Sequence, residues 1–133
     1  MKINMTLALA LSLSLSFSAA SSVMAQDGIT GDAEAGKREW RSCRSCHQLT
    51  EGRNGAGPSL YGVIGATAGQ VEGFRYSNEM AASGIVWDAT TLDAFIADPK
   101  GYLAGTKMSY RGLSDATKRA NLIAYIARET ATE

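Results

Sequence analysis

The sequence predicts an all-α fold on three observations. Three stretches carry apolar residues at three- and four-residue spacing, the stretches between them are rich in glycine, and none alternates apolar and polar residues as a half-buried strand would. Asp32 is placed as the N-cap of the first helix, whose stripe is Ala33, Gly36, Trp40 and Cys43. A glycine inside a helix costs about 1 kcal/mol relative to alanine, so a second helix is expected to come close at Gly36. Residues 50–73 follow, with Gly52, Gly55, Gly57, Gly62, Gly65, Gly69 and Gly73 breaking any long regular element. They read as an ordered loop, in which Leu60, Tyr61, Val63 and Ile64 are the apolar points able to cover a flat ligand. A short helical turn is expected within residues 77–83. Asp88 then caps a helix with Leu92, Phe95 and Ile96 on its buried face, and Pro99, just past Asp98, stops it. A second loop is expected over residues 100–112. Ser114 is read as the cap of the last helix, which carries Ala116, Ala120, Ile123, Ala124 and Ile126. The expectation is three main helices, short helical turns and long loops.

Residues 1–25 differ in composition from everything after them. Lys2 supplies a charged start, residues 7–20 alternate Leu, Ala and Ser, and Val23 and Ala25 present small side chains before the acidic Asp27. This reads as a secretory signal peptide cleaved before Gln26, with too many serines for a stable membrane span. No cysteine follows directly, so no lipid anchor is implied. The mature product, residues 26–133, is one small domain, too short for two independent cores. Lys2 is the only charged residue of the leader, which leaves 12 basic against 13 acidic side chains. That balance excludes a nucleic-acid footprint, and no internal repeat or low-complexity segment appears in the mature part.

The chemistry concentrates in Cys43-Arg44-Ser45-Cys46-His47. C-x-x-C-H is the spacing that attaches a c-type haem through two thioethers and gives its iron a histidine. On one helical turn the two sulfurs share a face, within reach of one porphyrin edge. These are the only two cysteines and the only histidine among the 133 residues. A structural zinc site needs four N or S ligands, and only three are present. A redox dithiol needs a preceding strand in a βαβ pattern, which is absent around the motif. A plain disulfide is the remaining alternative.

An iron with one histidine has a second face to fill. With no other histidine, methionine is the strong candidate. Met1, Met5 and Met24 leave with the leader, so the choice lies between Met80 and Met108. Met80 sits in a polar stretch with nothing to allow close backbone approach. Met108 ends Ala104-Gly105-Thr106-Lys107-Met108, a glycine-bearing loop able to fold over a porphyrin face, and is favoured.

With Cys43, Cys46, His47, Gly57-Pro58, Trp87 and Gly105-Thr106-Lys107-Met108 in this order and spacing, residues 31–128 resemble class I cytochrome c of the bacterial c2 and mitochondrial type. The resemblance implies the small cytochrome c fold wrapped round one covalent haem c. It also implies a soluble periplasmic monohaem electron carrier rather than an enzyme, since the family's haem is attached outside the bacterial cytoplasm. By similarity, Pro58 offers its carbonyl to the His47 ring N–H, and Gly36 with Trp40 packs against Leu122 and Tyr125 of the last helix. Tyr76, Trp87 and Thr106 match the residues that hold the haem propionates, and Leu60, Phe95 and Ile96 match haem-packing positions. Its partners are redox proteins, a quinol-oxidising complex or dehydrogenase as donor and an oxidase or photosynthetic centre as acceptor, met by a monomer that does not insert in the membrane. Two other readings stay open: a dedicated electron-accepting subunit of one periplasmic dehydrogenase, and a haem enzyme or sensor with a labile Met108 ligand.

The chain departs from the family pattern in several places. Phe95 stands where a tyrosine donates to the methionine sulfur, and Ala66 where an arginine often neutralises a propionate; both losses push the reduction potential downward. Met80 replaces a common internal asparagine, and Tyr110 an edge phenylalanine. Of the lysines that ring the exposed haem edge, Lys100 and Lys107 remain, with Arg41, Arg44 and Arg111 as partial compensation or as ordinary solvated charges.

Overall fold

Asp32 opens the first helix. Its carboxylate accepts from the N–H groups of Glu34 and Ala35 at 2.8 and 3.2 Å, and α1 (Ala33–Glu39) tightens directly into a 3₁₀ turn, Trp40–Ser42. This computed structural model describes residues 28–131; the expected leader, residues 1–25, lies outside the described residues. The helical stripe runs on through the 3₁₀ turn as far as Cys43, which follows it.

α5 (Ala116–Glu129) is the partner that Gly36 requires. A Cβ at Gly36 would stand 2.5 Å from the Asn121 carbonyl carbon and 2.8 Å from the Tyr125 Cβ, so the helices meet backbone to backbone. Asp32 N–H donates to Asn121 Oδ1 at 2.8 Å across the same junction. Trp40 and Tyr125 pack with ring centroids 6.3 Å apart, and Leu122, one turn before Tyr125, is 0% exposed. At the outer edge Arg128 pairs with Glu34 and lies over the Tyr125 ring. The cap of α5 is Asp115 rather than the expected Ser114. Asp115 stands three residues before Lys118, whose N–H its carboxylate accepts at 3.0 Å, while the Ser114 carbonyl is engaged by Arg119.

α3 (Ala89–Ala97) begins as expected at Asp88, in a capping box that Thr91 completes, and buries Leu92, Phe95 and Ile96. It ends at Asp98, but Pro99 does not open a loop. A further helical turn, α4 (Pro99–Tyr102), starts there, corrected against the expectation of a loop from residue 100. Proline lacks the N–H that a continuing helix needs, yet a first helical residue has no use for one. The Asp98 carboxylate then accepts from Gly101 N–H at 3.0 Å, so one residue closes α3 and caps α4. The turn expected within residues 77–83 is α2 (Asn78–Ala81), capped by the Ser77 hydroxyl. Among the described residues there is no strand, only an isolated bridge between Thr67 and Val86. The helices form a frame on which the segments before α2 and after α4 face each other.

Candidate functional site

The 3₁₀ turn after α1 delivers the cysteine motif. Cys46 N–H and His47 N–H both donate to the Cys43 carbonyl at 3.0 Å, closing one helical turn that puts residues 43, 46 and 47 together. Cys43 is half-buried, Cys46 is exposed, and no disulfide joins them. Burial pushes the Cys43 thiol up, against the lowering effect of the Ser42 hydroxyl.

Gly57 and Pro58 fix the imidazole. A Cβ at Gly57 would lie 2.5 Å from His47 Cε1 and 2.8 Å from both ring nitrogens, so the ring lies on bare backbone. Gly57 is itself held by its N–H to the Cys46 carbonyl at 2.8 Å. His47 Nδ1 is 2.7 Å from the Pro58 carbonyl oxygen. A carbonyl only accepts, so Nδ1 carries the proton and Nε2 keeps its lone pair. Burial pushes the imidazole below its ordinary value, with the Pro58 carbonyl opposing, which leaves it neutral at neutral pH.

The attachment, ligand and packing residues Cys43, Cys46, His47, Pro58, Leu60, Tyr76, Trp87, Phe95, Ile96, Thr106 and Met108 line one cavity of about 430 Å³; of the loop's other expected apolar points, Tyr61 and Val63 line it and Ile64 does not. Met108 is partly buried on the segment after α4, where its N–H donates to Thr106 Oγ1 at 3.3 Å. Trp87 packs on Phe95 with centroids 5.1 Å apart, and Phe95 meets Tyr102 edge-on at 6.1 Å. Burial raises the Tyr76 hydroxyl, against the Val71 backbone. Its ring meets Phe74 edge-on at 4.8 Å.

Sequence reasoning missed several parts of this wall. Leu92, Leu122 and Ile126 also line it, and the i, i+4 pair on α5 is the signal that would have found the last two. Gly57 was read as a loop breaker and as part of the Gly57-Pro58 motif, but not as the floor under the imidazole. Met80 is the main correction. Far from sitting in a polar stretch without close backbone approach, it is 8% exposed and lines the same cavity as Met108. Gly69, at φ +77°, brings its backbone so near that a Cβ there would be 2.7 Å from the Met80 carbonyl oxygen and the Ala81 Cα.

The donor set fits a covalently held haem. Two thiols stand at the rim, an imidazole presents a free Nε2, a thioether comes from a second loop, and the remaining walls are largely apolar. Among the described residues no group of three or more His, Cys, Asp or Glu side chains is arranged to hold a bare metal ion.

Comparison with known proteins agrees with this geometry. The family profile "Cytochrome c" matches residues 33–129. The chain is 46% identical over 84 residues to cytochrome c2 iso-2 of Magnetospirillum fulvum, covering 63% of this chain and 88% of that one. It is also 46% identical over 99 residues to the cytochrome c-type cyt cy of Rhodobacter capsulatus, covering 74% of this chain and 49% of the relative, about half its length. Among solved structures, cytochrome cH from Methylobacterium extorquens superposes with a TM-score of 0.70 at 41% identity, covering 74% of this chain and 99% of that one. The chain belongs to the cytochrome c family and takes one covalent haem c on Cys43 and Cys46.

Proposed function

We propose that the mature domain, residues 26–133 after loss of the leader at residues 1–25, is a periplasmic monohaem carrier with His47 and Met108 as axial ligands. It passes single electrons between a quinol-oxidising complex or dehydrogenase and an oxidase or photosynthetic reaction centre. The observation that carries this reading is the convergence of both cysteines, His47 and Met108 on one largely apolar cavity.

A haem held there by His47 and Met108 would supply a one-electron Fe(II)/Fe(III) couple. The chain's own residues set the terms. Pro58 holds the His47 Nδ1 proton, which fixes the tautomer and strengthens Nε2 as a donor. Gly57 fixes the plane of the ring. The soft Met108 thioether favours the ferrous state. Tyr76, Trp87 and Thr106 bring donors to an otherwise apolar wall, where they suit the propionates, while Leu60, Phe95 and Ile96 pack the macrocycle and exclude water. No helix among the described residues is long and apolar enough to cross a membrane. Only Lys100 and Lys107 remain of the lysines that the family places round the haem edge, so a strong salt dependence of partner docking is not expected.

Two steps on mature protein from a haem-ligating strain test this reading. The pigment should resist extraction by acid and organic solvent. A potentiometric titration should then follow a single one-electron curve with a slope of about 59 mV per decade. Extractable pigment, or a high-spin ferric spectrum, counts against it.

A further inference from the structure

The segment bearing Met108 is held mainly by its two ends. Among the described residues, the main chain of residues 107–112 makes no hydrogen bond to other main chain, and the Met108 N–H turns back only to Thr106 Oγ1. Upstream, Lys107 Nζ is fastened to the Tyr76 carbonyl, and Gly105 lies against the Glu79 side chain. Downstream, Leu113 N–H donates to the Ile96 carbonyl at 2.9 Å, and at the same place the Arg119 guanidinium closes on the root of the segment. Its Nη1 donates to the carbonyls of Leu113 and Ser114, both at 2.8 Å. Its Nε and Nη2 grip the two Asp93 oxygens at 2.8 and 3.2 Å. One side chain, 11% exposed, thus ties α5, α3 and the end of the Met108 segment together.

Such a contact differs from an ordinary surface ion pair, which is worth little. The guanidinium fork is planar, and each of its three nitrogens has an acceptor at bonding distance, so the carbonyls it holds have little freedom. Arg128 makes a useful contrast. Its guanidinium also pairs with carboxylates, Glu34 and Glu129, but at the far end of α5 and in an exposed setting.

We propose that Arg119, oriented by Asp93, is a positioning residue for the Met108 thioether: it anchors the downstream end of a strap that has no main-chain bonds of its own and so keeps the sulfur on the iron. This rests on the reading of Met108 as an axial ligand. Releasing the anchor raises the fraction of time the strap is open, by the local-unfolding logic that governs any segment with few internal bonds. A small external ligand for ferric haem is then captured more often.

The test uses the haem-loaded protein and two readouts: the weak far-red band of ferric thioether ligation, and the rate of cyanide capture. Arg119→Met should speed capture about tenfold and weaken the band, the loss expected when several charge-assisted hydrogen bonds go together. Arg119→Lys, which keeps the charge but not the fork, should fall between it and wild type. Asp93→Asn should move both readouts the same way by less, and it carries the test if Arg119→Met does not accumulate as holoprotein. Arg128→Met should lower the thermal midpoint while leaving capture unchanged. Capture within about twofold of wild type in both Arg119→Met and Asp93→Asn would overturn the proposal, as would an equal rise in Arg128→Met. A wild-type protein lacking the far-red band would instead overturn the ligand assignment, and with it the proposal.

Discussion

The junction of α1 with α5 and the wall of the cavity are built from the same short chain by opposite means. At the junction, Gly36, Asn121 and Tyr125 bring two helix backbones into direct contact, and the protein supplies both sides of these contacts. Around the cavity, Leu60, Trp87, Phe95, Ile96 and Met108 come from separate loops and helices and face a volume of about 430 Å³ that a haem, not another side chain, is suited to fill. The stability of the two regions therefore has different sources. One is intrinsic to the polypeptide; the other is linked to its ligand.

The most severe way to separate the two is to withhold the haem. A domain this small has too little core of its own once the cavity wall is left hydrated, so a Cys43→Ser/Cys46→Ser chain is expected to lose most of its helical circular dichroism. A native-like helical signal from it would mean that the junction carries the whole fold.

The next break is at the junction. Gly36→Val drives a branched side chain into the Asn121 carbonyl and the Tyr125 Cβ, and should cost about 3 kcal/mol in denaturant titration of the holoprotein. The visible spectrum should hardly change, since the residues around the haem are untouched. A variant that kept its stability would show that the helices can slide apart cheaply.

Phe95→Tyr acts on the other region alone. By the family resemblance a hydroxyl at this position donates to the Met108 sulfur and weakens the thioether as a donor to ferric iron, so the potential should rise by about 30–60 mV, the value of one neutral hydrogen bond in a one-electron couple. A downward shift on potentiometric titration would contradict this.

The smallest effect concerns the cap of α3, which carries Phe95 and Ile96 to the wall. The Thr91 N–H and hydroxyl hold the Asp88 carboxyl below the ordinary carboxylate range. A depressed folded-state value stabilises the fold above the unfolded value, about 3.9, and that contribution is lost as the pH falls through the folded one. Asn at 88 keeps the acceptor and removes the charge. The thermal midpoint of wild type should therefore exceed that of Asp88→Asn slightly at neutral pH, and the gap should close in acid; a gap that persists in strong acid would not come from this carboxylate.

The two regions also differed in how legible they were. Local periodicity announced α1 and α3, and Gly36, costly where it stands, pointed to a close helix before any partner was visible. The cysteine motif named its chemistry outright. Met80 could not be read that way, because its burial is imposed by the backbone of Gly69, eleven positions earlier in the chain. Pro99 was ambiguous in itself, as a residue that ends one helix and is well suited to start another. Which role prevails depends on Asp98 capping forward onto Gly101. Arg119 carries no local signal in the sequence, and only the fold brings Leu113, Ser114 and Asp93 around it.

Both methionines line the cavity, so the decisive point is which sulfur binds the iron. The visible spectrum of ferric holoprotein should show the weak far-red thioether band in wild type and in Met80→Leu, and lose it in Met108→Leu. A band that survives Met108→Leu and disappears in Met80→Leu would contradict the assignment of Met108.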